Sequence, residues 1–166
     1  KGFEYARTQN PTRSALERNL AGLEGAEHAV AFGSGLAAMD AVMRLLEPGD
    51  EVIATNDLYG GSYRQMVRVH GRYGITSKFI DLTDIKALKD SITKKTKLIW
   101  IETPTNPMLK LIDIKAVTEV AKSHSILTCV DNTFASPYLQ QPLSLGADIV
   151  LHSATKYLGG HSDVVM

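Results

Sequence analysis

The sequence predicts an α/β protein built on a largely parallel sheet with helices on both faces. Three observations carry that prediction. Apolar runs alternate with helical patterns almost from end to end. Most of the runs are continuously apolar instead of alternating, as in strands covered on both faces. Short polar or glycine-rich loops then join strand to helix, the pattern of βα units.

The elements follow in order. Asn10-Pro11 opens the first helix, with asparagine as cap and proline in the first turn. Leu16, Leu20 and Leu23 then fall on one face. The run Ala29-Val30-Ala31-Phe32 reads as a strand closed by Gly33-Ser34-Gly35, and a second helix carries Leu36, Met39, Met43 and Leu46. Glu47-Pro48-Gly49-Asp50 has the composition of a turn. Glu51 to Thr55 is a strand, Gly61 to Tyr73 a helix and Ile75 to Ile80 a strand. Ile85, Leu88 and Ile92 mark a helix, and Leu98 to Ile101 a strand ending at Glu102. Asp113 caps a helix bearing Ile114, Val117 and Ala121. Ile126 to Val130 ends at Asp131, and Ile149 to Leu151 ends near Ser153. No repeat, low-complexity stretch or linker divides the 166 residues, so one domain is expected.

Charge excludes some functions. Lys plus Arg and Asp plus Glu are both 18, a balance that disfavours nucleic acid or an anionic membrane as partner. Lysines 86, 89, 94, 95 and 97 interleave with aspartates 81, 84 and 90, as on a solvated helix face. The one cysteine, Cys129, has no disulfide or metal-spaced partner and reads as a buried strand residue. That cysteine usage, with no membrane-length apolar run, fits a cytoplasmic protein. The chain starts at Lys1 and stops at Met166 after Val164-Val165, so a segment of a longer protein is expected.

In parallel α/β sheets, ligands bind outside the carboxyl ends of the strands. There the sequence places Gly33-Ser34-Gly35, Asn56 to Gly61, Glu102 to Pro107, Asp131-Asn132-Thr133 and His152 to Lys156. Ser34-Gly35 opening a helix outlines an anion site, where free N–H groups and the helix dipole meet. Alone it would be a glycine turn, and it lacks the third glycine of a dinucleotide fingerprint. Ser153 and Thr155 add hydroxyls suited to a phosphate, Lys156 follows directly, and Gly159-Gly160 leaves room beside it. A lysine that attacks a carbonyl needs a phosphate-anchored aldehyde nearby. Asp131 supplies a carboxylate for a pyridinium nitrogen. His152 and His161 lack acidic partners at ligand spacing, so no metal is expected.

Six motifs in one order then carry a family resemblance over essentially the whole chain. They are Tyr5-Ala6-Arg7 with Asn10-Pro11-Thr12, Ser34-Gly35-Leu36-Ala37-Ala38, Tyr59-Gly60-Gly61, Glu102-Thr103-Pro104-Thr105-Asn106-Pro107, Val130 to Phe134, and Ser153 to Tyr157. The segment resembles the Cys/Met-metabolism family of pyridoxal-phosphate enzymes. The resemblance implies the large domain of the type I pyridoxal-phosphate transferase fold, over 13–166, with a C-terminal small domain outside the segment. It implies a Schiff base between Lys156 and pyridoxal 5′-phosphate, after which Lys156 serves as general base and acid. Asp131 is expected on the ring nitrogen, Tyr59 stacked on the ring and near the leaving group, and Asn106 near the ring hydroxyl. Gly35 and Leu36 N–H groups with Ser153 and Thr155 are expected on the phosphate. Residues 1–12 form an expected arm whose Tyr5 and Arg7 reach the phosphate of a neighbouring subunit in a homotetramer of dimers.

The family's reactions share loss of a proton from Cα and departure of a group from Cβ or Cγ. Tyr59 to Arg64 resembles members acting on cystathionine or activated homoserine at Cγ, so γ-lyase and γ-synthase are the leading expectations. Homoserine-ester sulfhydrylase, methionine γ-lyase and cystathionine β-lyase are the alternatives within the family. Methionine cleavage is disfavoured because such members carry cysteine where Gly61 stands, and β-lyases because they diverge over Gly60-Gly61. A dinucleotide-binding oxidoreductase and a non-catalytic scaffold are the rivals outside it. The arginine that binds the substrate carboxylate is expected beyond residue 166.

Overall fold

A computed structural model describes residues 2–166. Five parallel strands form one sheet in the order β2-β1-β3-β4-β5: β1 Glu51–Thr55, β2 Thr76–Ile80, β3 Thr96–Glu102, β4 Leu127–Asp131 and β5 Ile149–Leu151. Continuous burial along β1 and β3 explains their unbroken apolar sequence. Ile53, Ile99, Ile101 and Val130 point to one face, where Leu88 and Val117 cover them. Val52, Ala54, Leu98, Trp100 and Cys129 point to the other, under Met39, Met43 and Met66. Each such side chain contributes roughly 1.5–3 kcal/mol on burial, so the two faces together form the core.

The helices start where side chains satisfy free N–H groups. Asn10 caps α1 (Pro11–Glu24) by accepting from Arg13 N–H at 3.0 Å. Ser34 caps α2 (Gly35–Met43) through Ala37 N–H at 3.1 Å. α3 (Gly60–Arg64) runs on through a π-helical turn, Gln65–Val69, and a 3-10 turn, His70–Tyr73. Asp84 caps α4 (Ile85–Ser91), and Asp113 caps α5 (Ile114–Ser123), as its sequence predicts. A short α6 (Ser136–Leu139) and a 3-10 turn, Pro142–Leu145, complete the set. Among the described residues, no helix is long and apolar enough to cross a membrane.

Two expectations need correction. Ala29 to Phe32 joins no ladder. It faces Ile149 to Leu151 of β5 across a cavity of about 430 Å³. Apolar composition reports a need for burial, but a strand also needs a neighbour for its N–H and C=O groups. On α1, the sequestered residues are Ala21 and Glu24, whereas Leu23 is 46% exposed. Polar partners draw Glu24 inward and rotate the leucine face partly to solvent.

Candidate active site

The carboxyl ends of β1, β3, β4 and β5 open on one cleft of about 230 Å³. Eight residues expected from the sequence line it. Gly35 and Leu36 come from α2, Tyr59 from the cap of α3, and Asn106 from the loop after β3. Asp131 ends β4, and Ser153, Thr155 and Lys156 follow β5. The parallel arrangement is what delivers all of them to one edge.

One wall is an anion cradle. The first N–H groups of a helix lack partners within it, so Gly35 and Leu36 offer donors at the positive end of α2. Ser153 packs so close that a Cβ on Gly35 would lie 2.8 Å from Ser153 Cβ. Only glycine fits there, and it brings the Ser153 hydroxyl to the helix start. Thr133 Oγ1 accepts Ser153 N–H at 2.8 Å and fixes that strand end. The Thr155 hydroxyl lies in the cleft but donates to Met166 C=O at 3.0 Å and accepts Met166 N–H at 2.9 Å.

Lys156 stands exposed on a tight turn. Gly159 N–H donates to Ala154 C=O at 2.7 Å, and a Cβ on Gly159 would sit 2.8 Å from that same oxygen. The expected room beside the lysine is therefore a backbone requirement. Across the cleft, Asp131 accepts from both Thr133 Oγ1–H and Thr133 N–H. Burial pushes the Asp131 carboxyl above the usual range, while the Thr133 bonds and the nearby His152 pull it back. Tyr59 is 45% exposed, and its ring lies over Gly61, where a Cβ would fall 2.2 Å from Tyr59 Cε1. Its N–H donates to Glu102 Oε2 at 3.0 Å.

Tyr5 and Arg7 do not reach this cleft. The Arg7 guanidinium lies 4.8 Å from the centre of the exposed Tyr5 ring, on the arm before α1. Helix α1 begins at Pro11, so the last residues of the expected arm are already helical.

Sequence reasoning missed a buried polar group behind the cleft. Glu24, 4% exposed, accepts from Asn132 Nδ2 at 2.9 Å and pairs with His152 Nε2. Asn132 Nδ2 also donates to Gln140 C=O at 2.9 Å, and its Oδ1 accepts from Gln140 Nε2 at 2.8 Å. The cluster ties α1 to the ends of β4 and β5, on either side of Asp131 and Ser153. Glu24 lies more than 100 residues from Asn132 and His152 in sequence, so no local pattern marks the cluster.

An α/β sheet with a helix-start anion cradle, a lysine and a carboxylate at one edge defines the cofactor domain of an enzyme. The profile of Cys/Met metabolism PLP-dependent enzymes matches residues 1–166, and the chain belongs to that family. It is 57% identical over 164 residues to a probable cystathionine gamma-synthase of Herpetosiphon aurantiacus, covering 99% of this chain and 51% of that protein. It is 56% identical to a cystathionine gamma-lyase of Bacillus subtilis, covering 99% of this chain and 43% of that one. A solved cystathionine gamma-lyase from Lactobacillus plantarum, complexed with L-serine, superposes with a TM-score of 0.97 at 50% identity, over 99% of this chain and 43% of that one. The chain thus spans about half the length of the curated relatives it matches. Membership sets aside the oxidoreductase rival.

The residues present fit pyridoxal phosphate. The cradle that a Cβ at Gly35 would fill suits a phosphate, the lysine amine suits an aldehyde, and the opposed carboxylate suits a ring nitrogen.

Proposed function

We propose that the cleft binds pyridoxal 5′-phosphate. The whole protein then acts on cystathionine or an activated homoserine, by γ-elimination or γ-replacement. The observation that carries this reading is the shared cleft of Lys156, Asp131 and the start of α2. When bound, the cofactor supplies an electron sink for bonds at the substrate's Cα and Cβ.

The chain's own residues do the rest. Gly35 and Leu36 N–H groups, with the Ser153 and Thr155 hydroxyls, hold the phosphate. Asp131 faces the ring nitrogen and keeps a proton there, and that positive charge in turn favours the ionised carboxylate over the effect of burial. Lys156 holds the cofactor through its amine, then takes and returns the proton at Cα. Tyr59 covers the ring face, with its hydroxyl toward the leaving group, and Asn106 orients the ring hydroxyl. Residues 1–12 act as an arm in a homotetramer of dimers, where Tyr5 and Arg7 complete the partner's phosphate site. Their exposure outside their own cleft supports this, as does the bidentate reach of arginine toward phosphate. Residues 13–166 then form the cofactor-binding large domain. Cys129, buried and unpaired, fits a cytoplasmic setting.

The relatives' names include gamma-synthase, gamma-lyase and, in Lactococcus lactis at 55% identity, beta-lyase. Identity does not rank these reactions.

The test is an absorbance spectrum of the full-length protein before and after borohydride, beside Lys156→Ala. The expected result is a cofactor band that borohydride fixes covalently at Lys156 and that the variant lacks. No band after adding pyridoxal phosphate overturns the reading. Product analysis with cystathionine and O-succinylhomoserine then separates elimination from replacement. Mixing Arg7→Ala with Lys156→Ala subunits should restore some complete sites, read as recovered cofactor band per subunit.

A further inference from the structure

Strands β3 and β4 run parallel with Glu102 directly opposite Asp131 at their carboxyl ends. Partners in register point to the same side of a sheet, so both acids face the same cleft, and both line it. Glu102 is only 6% exposed. Its one bond from the described residues is to the Tyr59 N–H, at 3.0 Å. Tyr59 is the cap residue of α3 and makes no side-chain cap bond; its own N–H is held from the sheet by Glu102.

The charged neighbours are of the wrong sign to stabilise a carboxylate. Asp131 stands beside Glu102 on β4, and Asp57 lies in the loop after β1. Lys156 belongs to the turn after β5, and Tyr59 offers only its N–H. Burial first, then the Asp131 charge, raise Glu102 to about 8, with the Tyr59 bond opposing and Asp57 adding a little. Together these effects favour the neutral acid over the carboxylate at Glu102.

We propose that Glu102 is a positioning residue for Tyr59, acting as a neutral acid that holds the Tyr59 N–H and leaves Asp131 the one anion at the cleft floor. This rests on the reading that Tyr59 packs on a pyridoxal-phosphate ring. A second carboxylate would compete for the ring-nitrogen proton and repel the anionic ligand. It would also still accept the N–H, so charge rather than reach is what protonation controls.

The test uses the full-length protein, stripped of cofactor, with Glu102→Gln and Glu102→Ala beside it. Glutamine keeps the acceptor and the neutrality; alanine loses both. Pyridoxal phosphate affinity is titrated by absorbance from pH 6 to 9.5. Glu102→Gln should bind within about twofold of wild type at pH 7 and lack the extra weakening that wild type shows above pH 8. Glu102→Ala should bind about tenfold more weakly at pH 7, the loss of one buried hydrogen bond. Infrared difference spectra of the cofactor-free protein at pH 7 should show a carboxylic-acid band that Glu102→Gln removes. A glutamine variant as weak as alanine, one that keeps the alkaline weakening, or the absence of that band overturns the inference. Failure of wild type to bind cofactor, with the infrared band present, overturns the functional reading instead.

Discussion

Glu51 and Glu102 lie at opposite ends of the same sheet, each 6% exposed, and their carboxyls behave in opposite ways. At the amino end, Thr96 Oγ1 donates to Glu51 at 2.7 Å, Thr93 Oγ1 at 3.1 Å, and Lys78 Nζ lies 3.0 Å away. Burial raises the Glu51 carboxyl, but those donors outweigh it, and the net shift is downward. At the carboxyl end, Glu102 has one N–H and two aspartates, so burial prevails. At the same surface exposure, Glu51 lies shallower and among donors, so it is held as a carboxylate, whereas Glu102 lies deeper and among acids, so it is pushed toward its neutral form. The fold completes its hydrogen bonds where it has only to stand, and leaves them open where a ligand is to arrive.

Four substitutions break or sharpen this contrast. The largest effect is expected from Glu51→Ala, which strands the buried Thr96 hydroxyl and leaves Lys78 unpaired. It should cost about 2–4 kcal/mol in urea unfolding of the full-length protein at pH 7. An isosteric Glu51→Gln should cost less, and its cost should shrink in acid. The Glu51 value is depressed, so its contribution exists above the ordinary value of 4.5 and is lost as pH falls.

Glu102→Gln should show the reverse. The folded value, about 8, lies above the ordinary 4.5, so the stability this group contributes is complete in acid and is lost as pH rises through 8. The glutamine variant escapes that loss. Its advantage over wild type should grow by on the order of 1–3 kcal/mol between pH 5 and pH 8.5, then level off. A pH-independent difference would show that Glu102 is ionised throughout. The smallest effect is expected from Lys78→Met. The lysine side chain is 40% exposed, and a solvated ion pair contributes about 1 kcal/mol or less. Raising the salt concentration should erase most of it, which urea midpoints would record.

The strands were legible because two-sided burial writes itself as an unbroken apolar run, as in Val52 to Ala54 and Leu98 to Ile101. The caps at Asn10 and Asp113 are equally local, since donor and acceptor sit three residues apart. Most motif residues of the cleft could be read because they close or follow a strand, while Gly35 and Leu36 open a helix. Less legible was whatever depends on a distant partner. Ala29 to Phe32 has the composition of a strand without its ladder. Gly61 to Tyr73 reads as one uniform helix, whereas the chain changes pitch at Gln65. Nothing local marks Glu24, whose partners His152 and Asn132 come from the far side of the chain. The Glu102 side chain had one readable sign, an acid closing a run with no other charge from Leu98 onward.

The strand order β2-β1-β3-β4-β5 also bears on how the molecule is made. After β2 has paired on one side of β1, β3 pairs on its other side, and β4 and β5 then each add beside the strand synthesised before them. The sheet can therefore grow outward as the chain leaves the ribosome, with no strand inserted between two already in place. Lys156 comes last in that sequence, after the cradle on α2 and the carboxylate on β4. The proposed anchor thus emerges after Gly35, Leu36 and Asp131, the other residues proposed to hold the cofactor.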